Sequence, residues 1–181
     1  KKKPKRAGIR SSGVHLSGII SHCLGLGRDE EEEYPLCMAI GNFIEEGAIG
    51  LWPGISWQPG ELELDGVFGS PDGGSYLNDP PRMVVLKGRE RYVIEEFKAT
   101  WQSRRTHGKD ILKETKWIWQ LAGYCHMSAP CFHAHLHVFW MCGEYKFGPP
   151  KPEYYTYLIE FSEQELVEFW KNVVLKNRDA V

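Results

Sequence analysis

The sequence predicts an α/β protein with a central mixed β-sheet flanked by helices. Three observations carry this. Short alternating segments rich in β-formers recur at 61–68, 82–87, 91–99, 132–141 and 153–161. A helical pattern over 110–127 separates the third of these from the fourth, as in chains that alternate strand and helix. Ser162-Glu163-Gln164-Glu165 is a capping box that opens a last helix.

Taken in order, Lys1 to about Gly13 reads as a basic flexible arm, and 14–181 as one domain. Val14 to Leu26 has near-helical apolar spacing, with Ser17 as its N-cap. Asp29 to Glu33 is a charged connector, and Pro35 opens a helix running to about Ile49. On that helix Gly41 and Glu45 share a face. Leu51 to Gly60 is a Pro, Gly and Trp-rich loop. Glu61 to Phe68 alternates as one strand, ended by Asp65 and its neighbours, and 69–81 reads as a long turn region around Pro71-Asp72-Gly73-Gly74. Arg82 to Lys87 and Arg91 to Ala99 form two strands about a turn, and the first three strands are expected to be antiparallel neighbours. Trp101 to Lys109 is a basic loop. On the 110–127 helix Ile111, Leu112, Thr115, Ile118, Trp119, Ala122 and Cys125 make a core face. Lys113, Trp117, Gln120 and Tyr124 make a second stripe. The strand at 132–141 buries Phe132, Ala134, Leu136, Val138 and Trp140.

Bulk properties exclude little. The chain has 181 residues, 22 Lys+Arg against 24 Asp+Glu, and a net charge of −2. Five scattered cysteines without a C-x-x-C pair point to free thiols in a reducing compartment, and a cytoplasmic location is expected. No apolar run is long enough to span a bilayer, so no membrane association is expected.

The chemistry sits on Arg91 to Thr100. Glu96 and Lys98 are two apart, so a strand points both to one face, and Glu95 to the other. Glu45, Asp65 and Glu96 are three carboxylates brought to one sheet edge, which repel unless a cation lies between them. An oxygen-only set suits Mg²⁺ or Mn²⁺ and phosphodiester hydrolysis, with the Phe97 carbonyl as a further hard ligand. Lys98 would orient the attacking water or stabilise charge on the phosphate. His133, His135 and His137 alternate on one strand. That row is either a transition-metal site or, more commonly, a half-exposed polar face.

Asp65 followed by Glu96-Phe97-Lys98 resembles the PD-(D/E)XK nuclease signature. Gln120-Leu121-Ala122-Gly123-Tyr124 resembles the QxxxY motif of its RecB-type branch. Gly41-x-x-x-Glu45 resembles the helix glutamate of that branch and of lambda-exonuclease-like enzymes, and Val14 to Cys23, with Ser17, its N-terminal helix. The resemblance implies a restriction-endonuclease-like core and a Mg²⁺- or Mn²⁺-dependent deoxyribonuclease, an exonuclease acting on DNA ends or single strands in recombination or repair, of phage or mobile-element type. It implies catalytic roles for Glu45, Asp65, Glu96, Lys98, Gln120 and Tyr124, the last two placing the strand. Ser17, Arg104, Arg105, Lys109, Lys113 and Trp117 are candidate DNA contacts. Some relatives hold an iron–sulfur cluster on one early and three late cysteines; Cys23 is early but no cysteine follows Cys142, so no cluster is expected. A homo-oligomer is compatible with this reading. The alternatives are a structure- or site-specific endonuclease such as a junction resolvase, and a DNA-binding module without activity.

Overall fold

Alternation of apolar and polar residues commits a segment to a sheet with one face on a core, and the segment that does this best is the fold's centre. In the computed structural model the described residues are 11–26, 35–51, 55, 58–76, 92–108, 110–129, 131–141 and 151–181. A four-stranded mixed sheet is made by β4 (Gly73–Tyr76), β5 (Tyr92–Thr100), β6 (His133–Trp140) and β7 (Glu153–Glu160), side by side in that order. β5 and β6 are parallel; β4–β5 and β6–β7 are antiparallel. A second, small sheet is made by β1 (Val14–His15), β3 (Val67–Gly69) and β2 (Leu62–Leu64). The helices are α1 (Leu16–Cys23), α2 (Pro35–Leu51), the short α3 (Arg104–His107), α4 (Thr115–Met127) and α5 (Glu163–Phe169), the last prolonged by a π turn over Trp170–Leu175.

One apolar cluster joins these parts. The β5–β7 face contributes Ile94, Ala134, Leu136, Val138, Trp140 and Ile159. Helix α1 contributes Leu16, Ile19 and Ile20, α4 Leu121 and Cys125, and the C-terminal helix Leu166, Trp170 and Val174. Each leucine, isoleucine and valine among them stabilises the fold by roughly 1.5–3 kcal/mol on full burial. The expected Ser162 capping box closes the start of α5, with Glu165 reaching back to the Ser162 N–H at 2.8 Å.

Several expectations are corrected. The segment 61–68 is not one strand: Asp65 (φ 53°) and Gly66 (φ 75°) form a two-residue hairpin turn between β2 and β3. Two consecutive positive φ values are what a type I′ turn requires, and Asp-Gly is a favoured pair for it. The first strands therefore do not run on into the main sheet. The 69–81 turn region instead contains strand β4, while the strand expected at 82–87 lies outside the described residues. Ser17 is not an N-cap; His15 holds that position without a side-chain bond, and Ser17 lies in the first turn of α1. Helix α4 starts at Thr115, after a 3₁₀ turn at Ile111–Lys113 that leaves Leu112 63% exposed rather than in the core. The arm at 1–10 lies outside the described residues.

Helices α1 and α4 touch where α4 has no side chain. A Cβ on Gly123 would stand 2.3 Å from Leu16 Cδ2, and Leu16 is itself buried in the core. Overpacking of this kind costs about 1–3 kcal/mol, partly offset by alanine's better helix propensity. Gly123→Ala is expected to lower unfolding free energy by about 1–2 kcal/mol with an unchanged m-value, measured by urea denaturation.

Candidate active site

The site begins where β4 ends. β4 pairs with β5 from Tyr76↔Tyr92 to Gly73↔Glu95, and β5 runs on to Thr100 with β6 on its other side. Beyond Glu95, the β4-side edge of β5 needs acceptors for its backbone N–H groups. Two carboxylates supply them. Asp72, one residue before β4, accepts from the Phe97 N–H at Oδ2 (2.9 Å). Glu45, on α2, accepts from the Ala99 N–H at Oε1 (3.2 Å). The register that puts Gly73 opposite Glu95 puts Asp72 opposite Glu96, and the Asp72 N–H lies 3.4 Å from Glu96 Oε2.

Glu96 and Lys98 point to the face that packs on α4. Their registers are Glu96↔Leu136 and Lys98↔Val138, both core positions of β6. Lys98 Nζ donates to Glu96 Oε1 at 2.7 Å, and Glu96 is only 2% exposed. Burial would lower the Lys98 pKa; the charges of Glu96, Asp72 and Glu45 outweigh it and hold the ammonium well above its usual range. For Glu96, burial and then the Asp72 charge raise the carboxyl to about 8, against the pull of Lys98. One ammonium cannot balance three carboxylates. Lys98 keeps its charge, and burial together with the neighbouring carboxylates favours a proton on Glu96.

From α4, Gln120 Nε2 donates to Tyr124 Oη at 2.7 Å, the i,i+4 contact expected on one helix face. Burial, then the Glu96 charge, raises the Tyr124 phenol, so it remains a neutral hydroxyl beside the carboxylates. A Cβ on Gly69 would lie 3.0 Å from Tyr124 Cε1 and 2.9 Å from Met127 Sδ, so β3 can approach α4 here only as glycine.

The acid at Asp65 is not part of this group. Its carboxylate accepts from Trp170 Nε1 at 2.9 Å and its carbonyl from Arg178 at 3.0 Å, which ties the β2–β3 hairpin to the C-terminal helix. The acid that stands beside Glu96 at the open edge of β5 is Asp72. The sequence reads Pro71-Asp72-Gly73-Gly74 as a turn, and that composition hides the place of Asp72 beside Glu96.

Among the expected nucleic-acid contacts, Arg104 Nε pairs with Glu153 at 2.9 Å and its guanidinium lies 4.0 Å over the Tyr155 ring. Arg105 is exposed at the start of α3, its N–H on Ser103 Oγ. Lys113 is 3.3 Å from Asp110 and 81% exposed. The Trp117 ring centroid lies 6.2 Å from that of Trp140, and Ser17 lies in α1. Lys109 lies outside the described residues.

On the opposite face of β5, Glu95 meets two of the three histidines of β6. Glu95 Oε1 is 3.0 Å from His135 Nδ1, and Oε2 is 2.5 Å from His137 Nε2; Ser75 Oγ donates to Oε1. Burial alone would raise Glu95; hydrogen bonds from His135, His137 and Ser75 outweigh it and hold it at about 2. His133 stands apart, 3.5 Å from Glu160.

No protein-family model matches the sequence, and no characterised protein matches it by sequence comparison. Solved structures do match the fold. An alkaline exonuclease (LHK-Exo) from Laribacter hongkongensis is 14% identical, with a TM-score of 0.55 over 93% of this chain and 88% of that one. The same exonuclease in complex with dAMP gives 0.56 at 14% identity, over the same shares of the two chains. A phage-related exonuclease from Haemophilus somnus gives 0.53 at 19% identity, over 91% of this chain and 78% of that one. The chain thus has the α/β fold expected, a restriction-endonuclease-like core of mixed sheet flanked by helices. Among the described residues no helix is long and apolar enough to cross a membrane.

The raised Glu96 carboxyl has a consequence for stability. It holds its proton after the unfolded chain has lost one, so its contribution falls as pH rises from 4.5 to about 8. Glu96→Gln removes that dependence. Without divalent metal, the variant is expected to melt above the parent at pH 8, by about 5 °C, with the difference shrinking toward pH 5. Calorimetric scans across that range would show it, and a difference independent of pH would contradict the assignment.

Proposed function

We propose that this chain is a Mg²⁺- or Mn²⁺-dependent deoxyribonuclease, an exonuclease that hydrolyses phosphodiester bonds at DNA ends. The observation that carries this reading is the meeting of Asp72, Glu96 and Glu45 around Lys98 at the open edge of β5. The fold shared with solved exonucleases supports it.

The donor set fits a hard divalent cation. It is oxygen-only, largely buried, and carries more negative charge than Lys98 balances; burial and then the Asp72 charge raise the Glu96 carboxyl to about 8. Asp72 and Glu96 would hold the ion, with Glu45 and the Phe97 carbonyl assisting. When bound, such an ion lowers the pKa of water and neutralises charge on the phosphoryl group.

The chain's own residues do the rest. Lys98, fixed by its 2.7 Å contact to Glu96, places a full positive charge where charge develops on the phosphate oxygens. The Phe97 and Ala99 N–H groups hold Asp72 and Glu45 in place, so these carboxylates need no reorganisation. Tyr124, kept neutral and oriented by Gln120, donates its hydroxyl to a backbone phosphate or sugar. Arg105 and Lys113, both on the surface leading to α4, contact the phosphates of the incoming strand.

The test is digestion of end-labelled linear and covalently closed circular DNA with Mg²⁺ or Mn²⁺. Linear DNA is expected to be degraded and closed circles spared; cleavage of closed circles would instead indicate an endonuclease. Asp72→Asn, Glu96→Gln and Lys98→Ala are expected to lower kcat by about 10²-fold or more. Asp65→Asn, which keeps an oxygen for Trp170, should stay within about twofold of the parent. Full activity in Asp72→Asn would end the mechanism. The double variant Arg105→Ala/Lys113→Ala should raise KM several-fold at little cost in kcat, and reduce the salt dependence of binding by about two phosphate contacts.

A further inference from the structure

The sheet face opposite Glu96 carries a second polar cluster that the proposed hydrolysis does not use. Glu95, His135 and His137 each offer a ligand atom, and these atoms all lie within 4.8 Å of one another. Strand geometry makes the group. Glu95 and His135 are register partners on parallel strands, and His137 is two residues on, so all three leave the same face.

The two imidazoles do not share one oxygen. His135 approaches Oε1 and His137 approaches Oε2, so the carboxylate is flanked on both sides. The far nitrogen of His137, Nδ1, is held by Tyr154 Oη at 2.6 Å and Thr156 Oγ1 at 3.0 Å, both from β7. Metal-ligating histidines are characteristically fixed through their other ring nitrogen in this way. Phe97 stacks on the His137 ring at 4.4 Å and sets its plane. Glu95 and His137 are 2% and 1% exposed, whereas His135 is partly open, which gives an ion a way in.

We propose that Glu95, His135 and His137 form a second metal site, of the Zn²⁺ class, that clamps β5 to β6 behind the carboxylate cluster. Two imidazoles and one carboxylate are a set that zinc accepts, with bonds of about 2.0–2.2 Å that separate neighbouring ligand atoms by roughly 3.3 Å. The pairs at 2.5 and 3.0 Å need to part by about 0.8 and about 0.3 Å to reach that separation. A water reaching the ion past the partly open His135 would complete a set of four. The two sites differ in selectivity: nitrogen-rich here, oxygen-only around Lys98, so excess Mg²⁺ does not displace an ion from this one.

The test does not depend on nuclease activity. Protein carrying Asp72→Asn, to weaken the carboxylate site, is stripped of metal, loaded with Zn²⁺ or Co²⁺ and desalted in millimolar Mg²⁺. Elemental analysis is expected to find about one equivalent retained, with a raised melting temperature and a Co²⁺ spectrum free of thiolate charge-transfer bands. His135→Ala, at a partly exposed position that a folded chain tolerates, is expected to reduce retention about tenfold or more with unchanged circular dichroism. Failure of the Asp72→Asn protein to retain ion would overturn the site in favour of a plain hydrogen-bond network. Equal retention in His135→Ala, or a thiolate band pointing to Cys125 and Cys131, would overturn it as well.

Discussion

The arrangement depends on one mismatch of lengths. β4 stops pairing at Gly73, while β5 continues to Thr100. A strand edge buried without partners is costly, because each unpaired N–H loses its water without gaining an acceptor. Here the acceptors are carboxylates from two different elements, Asp72 before β4 and Glu45 on α2. The edge that needs acceptors thereby collects negative charge, and the strand itself contributes Glu96 and Lys98 between them. The proposed ion site follows from how the sheet ends.

Two adjacent glutamates show how far neighbouring environments can diverge. Glu95 is surrounded by donors and stays ionised down to about 2. Glu96 is crowded by other carboxylates and rises to about 8. Residue type is the same for both, and burial raises both carboxyls, Glu96 most of all. What separates their directions is the partners each face supplies: hydrogen-bond donors overcome burial at Glu95, while like charges add to it at Glu96. In the metal-free chain, the charge cluster on the Glu96 face opposes folding above the usual carboxylate range. The apolar cluster on the same side of the sheet, from Leu16 to Val174, offsets it.

Much of this was legible in the sequence. Alternation located β5, β6 and β7, helical spacing located α1 and α4, Pro35 marked the start of α2, and Ser162 with Glu165 gave the start of α5. The pairing of Glu96 with Lys98 and that of Gln120 with Tyr124 follow from the periods of strand and helix. What the pattern could not supply was register. Asp65 ends an alternating run, and only the positive φ at Asp65 and Gly66 reveals a hairpin that turns the acid toward Trp170. Asp72 sits in a Pro-Asp-Gly-Gly stretch whose composition says turn, and its place opposite Glu96 depends on how β4 pairs. The histidine row was visible, but its partner Glu95 is 40 residues away and meets it only through the parallel β5–β6 ladder.

A period of two makes register decisive for the chemistry as well. A slip of one residue in β5 would exchange its faces, sending Glu95 to the carboxylates and Glu96 to the histidines. Neither cluster would survive, since Lys98 would face His137 and its neighbours. The register must therefore be held by contacts that one slipped residue destroys. Phe97 provides two of them. Its N–H binds Asp72 across the open edge, and its ring stacks on His137 across the β6 side at 4.4 Å with 12° between the planes. Lying between Glu96 and Lys98 with its side chain on the other face, Phe97 couples the two clusters. An ion that tightens the histidine side would fix the register that the carboxylate side requires.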